Sequence, residues 1–102
     1  MTVDSEQLQH IDLHLCRLLR SREFPKTICP SEVARALSAK ELEDNNVQSW
    51  RELMTPIRQH AFQLRDQGRL EILQKGNVLP VSQTMEATTG PIRLRRIKTT
   101  DA

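Results

Sequence analysis

The sequence predicts an α+β fold, mainly α, in which three helices are followed by a two-stranded antiparallel hairpin with a long tip. Three observations carry that expectation. Apolar residues recur at helical spacing in three stretches before residue 65. The third stretch runs into a glycine, Gly68, placed to end a helix. Beyond it, Leu70-Glu71-Ile72 and Ile92-Arg93-Leu94-Arg95 alternate apolar and charged residues as half-buried strands do.

The first helix spans about Ser5 to Arg22. Leu8, Ile11, Leu15, Leu18 and Leu19 form its apolar stripe, Asp4 and Gln7 have capping-box spacing, and Phe24-Pro25 closes it. Lys26 to Cys29 is extended, since the residue before Pro30 is steered away from helical angles, and Ile28 faces the core. Pro30 suits the first position of a second helix running to about Leu37, with Glu32 at its positive end and Val33, Ala36 and Leu37 inward.

Residues 38–48 read as a solvated polar connection with an acidic cluster, Glu41, Glu43 and Asp44, and room for one extra helical turn. The third helix buries Trp50, Leu53, Met54, Ile57, Ala61 and Leu64. Pro56 inside that pattern predicts a break, with Thr55 as cap of the restarted helix and Ser49 to Met54 as a short preceding turn. Residues 75–91 are expected to form a long loop with freedom to move, and 98–102 a frayed tail.

Helix, short extended piece, two helices and a hairpin is the order of a winged helix, here a single domain over residues 1–102 with a wing loop at about 75–91. The segments TICPSEVARAL (27–37), WRELMTPIR (50–58), QGRLEI (67–72) and GPIRLR (90–95) resemble a family of small bacterial proteins catalogued as a domain of unknown function. The resemblance covers about residues 5 to 97. It implies a winged-helix-like fold and no established activity.

Composition narrows the function classes. A chain of 102 residues buries roughly 60 to 68% of its unfolded surface, enough for one core but not for an enclosed active-site chamber as well. No phosphate-cradling glycine loop, paired carboxylates or nucleophile–base pair stands out, so an enzyme is not expected, and neither is a cofactor. Cys16 and Cys29 are too few for a disulfide framework, and no run approaches the roughly 20 apolar residues of a membrane span. A cytoplasmic protein with reduced thiols is expected, with no membrane partner. Residues 1–50 hold six Lys/Arg and eight Asp/Glu, while 51–102 hold nine and five, giving −2 and +4 for the halves. Arg93, Arg95, Arg96 and Lys98 crowd one stretch without an acid.

In winged helices the third helix enters the DNA major groove and the hairpin touches the backbone. Arg51, Thr55, Arg58 and Gln59 are the candidates for bases or adjacent phosphates, and Lys75, Arg93 and Arg95 for the backbone of double-stranded DNA. Arg51, Arg58 and Arg65 lie seven apart on one flanking stripe. On this reading Arg58→Ala weakens DNA binding and leaves stability nearly unchanged. Against it stand an outward Arg93 paired with Glu71, the repulsion of phosphate by Glu52, a pI of 8.8 that is modest for such a domain, and a connection longer than the usual turn. The alternative is a winged helix used for protein interaction, without nucleic acid, through Glu41 to Asp44 or through Phe62; a homodimer is a further form it could take.

The remaining chemistry-bearing residues read as structural. His10 and His14 share a helical face at zinc-compatible spacing, but no third or fourth ligand is evident, so no metal is expected and both are read as solvated. Cys29, at the start of the second helix, is read as a capping or buried thiol and Cys16 as packing. Trp50 is read as a core anchor. Phe62 falls near the arginine stripe and suits a partner surface, a dimer contact, or packing against the first helix or the wing.

Overall fold

The computed structural model describes residues 5–97, in the order α1 (Ser5–Ser21), β1 (Thr27–Ile28), α2 (Pro30–Ala36), α3 (Ala39–Asp44), a 3-10 turn (Trp50–Leu53), α4 (Met54–Asp66), β2 (Leu70–Gln74), β3 (Asn77–Val78) and β4 (Arg93–Arg96). The fold is α+β and mainly helical. The proposed cap at Asp4 and the tail at 98–102 lie outside the described residues.

Burial follows the apolar periodicity. Ile11 and Leu15 of α1, Val33 and Ala34 of α2, and Ile57 and Ala61 of α4 are fully buried. They pack on one face of the sheet with Ile28, Ile72 and Leu94, which are also fully buried. Each large aliphatic side chain so buried contributes about 1.5 to 3 kcal/mol. At the head of α2, Glu32 accepts a hydrogen bond from the Cys29 N–H at 2.9 Å and one from the Arg22 guanidinium at 2.8 Å.

Among the described residues there are four helices, where the sequence predicts three and room for one extra turn. The segment read as a connection contains α3, which is closed at both ends by local chemistry. Ser38 Oγ accepts from the Glu41 N–H (3.1 Å), while the Glu41 carboxylate accepts from the Ser38 N–H (2.9 Å). Asn46 ends the helix at φ 61°, with Val47 N–H donating to Leu42 O at 2.9 Å and Asn46 N–H to Glu43 O at 3.0 Å. Val47 is buried against partly buried Leu42, so the turn is fixed by apolar contact as well.

The short preceding turn is present as Trp50–Leu53, and the helix restarts at Met54, two residues earlier than expected, with Leu53 and not Thr55 at the cap position. Pro56 is the third residue of α4, within the first turn, where an amide has no intrahelical partner to lose. At the other end Gly68, at φ 76°, terminates α4 as the sequence predicts. Arg69 N–H reaches back to Leu64 O and Gly68 N–H to Arg65 O, both at 2.9 Å.

The sheet has the order β1-β4-β2-β3, with every neighbouring pair antiparallel. Ile72 pairs with Leu94 on the buried face, and Glu71 with Arg95 on the other. The segment expected to be one long loop begins instead as a tight hairpin. Lys75 and Gly76 both take positive φ, 53° and 83°, and turn β2 directly into β3. Residues 79–91 then fold onto α4. Leu79 N–H continues the ladder to Ile72 O (2.8 Å), and buried Thr88 donates to Thr84 O (2.8 Å).

Candidate nucleic-acid interface

On α4 and the turn before it, the side chains pointing away from the core are Arg51, Glu52, Thr55, Gln59 and Gln63, all exposed. Helical periodicity requires this once Leu53, Ile57, Ala61 and Leu64 are committed inward. The Arg51 guanidinium lies 4.7 Å from the centre of the Trp50 ring, and Arg35 of α2 lies 5.5 Å from it. Trp50 is therefore a partly buried platform at the core's edge, flanked by two cations, and not the fully enclosed anchor expected.

Arg58 and Arg65 follow Arg51 on the same stripe and meet different surroundings. Arg58 donates to Gly90 O (3.1 Å) and Thr88 O (3.3 Å). Arg65 is 5% exposed and donates to the backbone oxygens of Pro80 (3.4 Å), Val81 (3.1 Å) and Gln83 (2.7 Å), with Asp66 at 2.8 Å. Its guanidinium stacks 4.8 Å from the Phe62 ring. Phe62 is itself 5% exposed and belongs to the core, so of its two expected readings packing holds and the partner surface does not. Both arginines satisfy carbonyls of the loop, which has few ladder partners of its own. Arg58 is thus engaged within the fold by two hydrogen bonds to the loop.

Between α4 and this loop lies a cleft of about 480 Å³, bordered by Gln59, Gln63, Asp66, Val81, Met85 and Glu86. A second depression, of about 530 Å³, lies at the base of the hairpin among Gln74, Lys75, Thr89, Gly90, Pro91 and Arg93. It brings together two of the expected backbone contacts, Lys75 and Arg93. Arg58 joins α4 to this depression through Gly90. Gln74 Nε2 donates to Thr89 O at 2.6 Å and to Pro91 O at 3.3 Å, fixing the far wall. Arg93 is exposed and donates only to Thr27, to Oγ1 at 2.9 Å and to O at 3.4 Å. Lys75 is exposed and has no carboxylate partner among the described residues.

Arg95 is placed differently. It donates to Glu71 Oε1 at 2.6 and 2.9 Å and stacks 4.6 Å from the Phe24 ring. The cross-strand pair weighed for Arg93 thus belongs to Arg95, because the register sets Arg95 directly opposite Glu71. Arg95 is engaged with Glu71 and Phe24 in this geometry.

The histidines are not solvated as expected. His14 Nε2 lies 3.1 Å from Glu41 Oε1, and Asn45 Nδ2 donates to His10 Nδ1 at 2.9 Å, so the two imidazoles dock α3 on α1. The Ser38 N–H holds the Glu41 carboxyl below the usual range, opposed by partial burial and reinforced by His14. At Glu32 partial burial works against ionisation, and the Cys29 N–H and Arg22 outweigh it, so this carboxyl too sits below the usual value. Cys16 is half-buried with its thiol 3.6 Å from Asp12 Oδ1. Burial, followed by the Asp12 charge, pushes that thiol up. Asp12 also holds His60 at 2.7 Å, tying α1 to α4. No helix of the described residues is long and apolar enough to cross a membrane.

Residues 8–97 match the family described as protein of unknown function (DUF3253), and the chain belongs to that family. No curated protein matches the sequence.

Proposed function

We propose that this member of the DUF3253 family is a winged helix that works by binding double-stranded DNA, with no chemistry of its own. The observation that carries the reading is the depression at the hairpin base. There Lys75 of the hairpin turn and Arg93 of β4 line one groove, Lys75 without a carboxylate partner among the described residues and Arg93 exposed, with hydrogen bonds to Thr27 and the Glu32 charge nearby. The element order supports it, with β1 pairing outside β4 and the hairpin following α4. So does the course of α3, whose Glu41 is bound to Ser38 and His14.

In this reading Arg51, Thr55 and Gln59 meet base edges or neighbouring phosphates, while Lys75 and Arg93 hold the backbone. Arg58 positions the wing against the helix, and Arg95 stiffens the sheet through Glu71. The protein-interaction alternative loses Phe62, which is buried, and keeps the acidic segment, where Glu41 is bound to His14 while Glu43 and Asp44 stay exposed.

Fluorescence anisotropy on a random-sequence duplex tests this. With three cations at phosphate, Arg51, Lys75 and Arg93, raising salt from about 50 to 200 mM weakens binding about 40-fold. Arg93→Ala lowers the salt slope by about one. Absence of binding at the lower salt overturns the assignment.

A further inference from the structure

The end of the sheet remote from the hairpin turn carries a concentration of positive charge that the DNA-binding reading does not use. Arg20 in the last turn of α1, Arg69 just past the end of α4, and Arg96 at the end of β4 surround a groove of about 440 Å³. Its other walls are Cys16, Leu19 and Ile97. Among the described residues none of the three guanidiniums has a carboxylate or a hydrogen-bond partner. Every other cationic group described above is stacked on an aromatic ring, tied to a carbonyl or carboxylate, or set alone at a turn. Here three arginines from α1, β4 and the connection between α4 and β2 line one groove, none with such a tie among the described residues.

Helix electrostatics explain two of them. Arg20 and Arg69 stand at the negative ends of α1 and α4, where a cation is favourable. Arg96 lies on a strand and has no such reason to be there. Placing it in one groove with the other two adds like-charge repulsion. The apolar walls are equally specific, since Leu19 is buried and Cys16 stays a protonated, neutral thiol because burial and Asp12 push it up.

We propose that this groove binds a small ligand carrying a phosphomonoester on an apolar body, the dianion held by Arg20, Arg69 and Arg96 and the body lying against Leu19 and Ile97. Guanidinium forks match phosphate oxygens in pairs, and the groove volume lies in the range of small-molecule sites. A duplex backbone suits it less well, because it presents a line of single charges and no apolar body for the floor. The groove is also separated from the Lys75–Arg93 depression by the length of β2, roughly 17 Å for its five residues.

The experiment is an amide-resolved NMR titration of the full chain with phenyl phosphate, inorganic phosphate and phenol. Phenyl phosphate shifts the amides of Leu19, Gly68, Arg69 and Ile97 and saturates. Inorganic phosphate binds at the same place roughly tenfold more weakly, and phenol does not saturate. Arg96→Gln and Arg20→Gln each weaken phenyl phosphate by roughly tenfold or more, with the Arg96→Gln unfolding midpoint at or above the parent's because repulsion is relieved. The proposal is overturned if no saturation occurs by about 10 mM, if Arg96→Gln binds as the parent does, or if the shifts centre on Lys75 and Arg93. Equal affinity for phenyl and inorganic phosphate overturns the role of the apolar walls. Duplex anisotropy of Arg96→Gln separates the two sites: a loss of DNA affinity as large as that of Arg93→Ala assigns the groove to DNA instead.

Discussion

A single side chain, Arg65, decides whether the loop over α4 has a defined position. Its guanidinium satisfies three backbone oxygens of residues 80–83 while lying on Phe62, almost out of contact with water. Removing it leaves those oxygens without donors and opens a void under the loop, so Arg65→Ala is expected to cost about 3 kcal/mol in urea unfolding. Arg65→Lys restores charge but not the planar fork and recovers only part of the loss. Arg51→Ala, at an exposed site, stays within about 0.5 kcal/mol. Similar costs for the two alanine variants would show that the loop does not depend on this anchor. The sequence placed Arg51, Arg58 and Arg65 on one stripe, and that is where they are. It could not show that residues 79–91 fold over the second and third of them. The stripe therefore read as one flank of the helix, and Phe62 beside it stayed open between a partner surface and packing.

At the scale of elements, what was legible had strong local causes. The 3.6-residue apolar period placed α1, α2 and α4, Gly68 marked the end of α4, and alternation placed β2 and β4. Two elements were not placed as such, α3 being allowed for only as an extra helical turn, although their signals are written in the chain. The Ser38-x-x-Glu41 spacing is a capping box and announces α3, but the acidic composition around it suggested a solvated connection. Lys75-Gly76 is a two-residue turn with positive φ at both positions, which creates β3; the surrounding Ser, Thr and Pro suggested an unbroken loop. Register was not legible at all, and it decides which arginine meets Glu71. The turn gives a test with two opposed readouts. Asn accepts left-handed angles more easily than Lys, so Lys75→Asn is expected to raise stability by about 0.5 kcal/mol. The same substitution removes a cation from the hairpin base and lowers the salt slope of duplex binding by about one. Gain in stability with no change in slope would keep the turn and remove Lys75 from the interface.

Across the whole molecule the excess of acid in the N-terminal half acts as structure. Glu32 closes the head of α2 and binds Arg22, and Glu41 closes α3 and binds His14 on α1, so the helices that flank α4 are held by carboxylates. Both carboxyls titrate below their ordinary value of 4.5 in the folded chain. The unfolded chain consequently binds protons first as the solution is acidified, and the stabilisation is complete above about pH 4.5 and is lost as pH falls through the folded values. Urea midpoints should be level from about pH 7 to 5 and then fall. In Glu32→Gln/Glu41→Gln the midpoint is lower at neutral pH and the fall below pH 4.5 is shallower, because two carboxyls held low in the folded chain no longer titrate. The sites lie on different helices with different partners, so the single variants should add. An acid transition of the same steepness in the double variant would place the acid sensitivity in other carboxylates. The two glutamates would then be caps without a role in how the N-terminal half answers to pH.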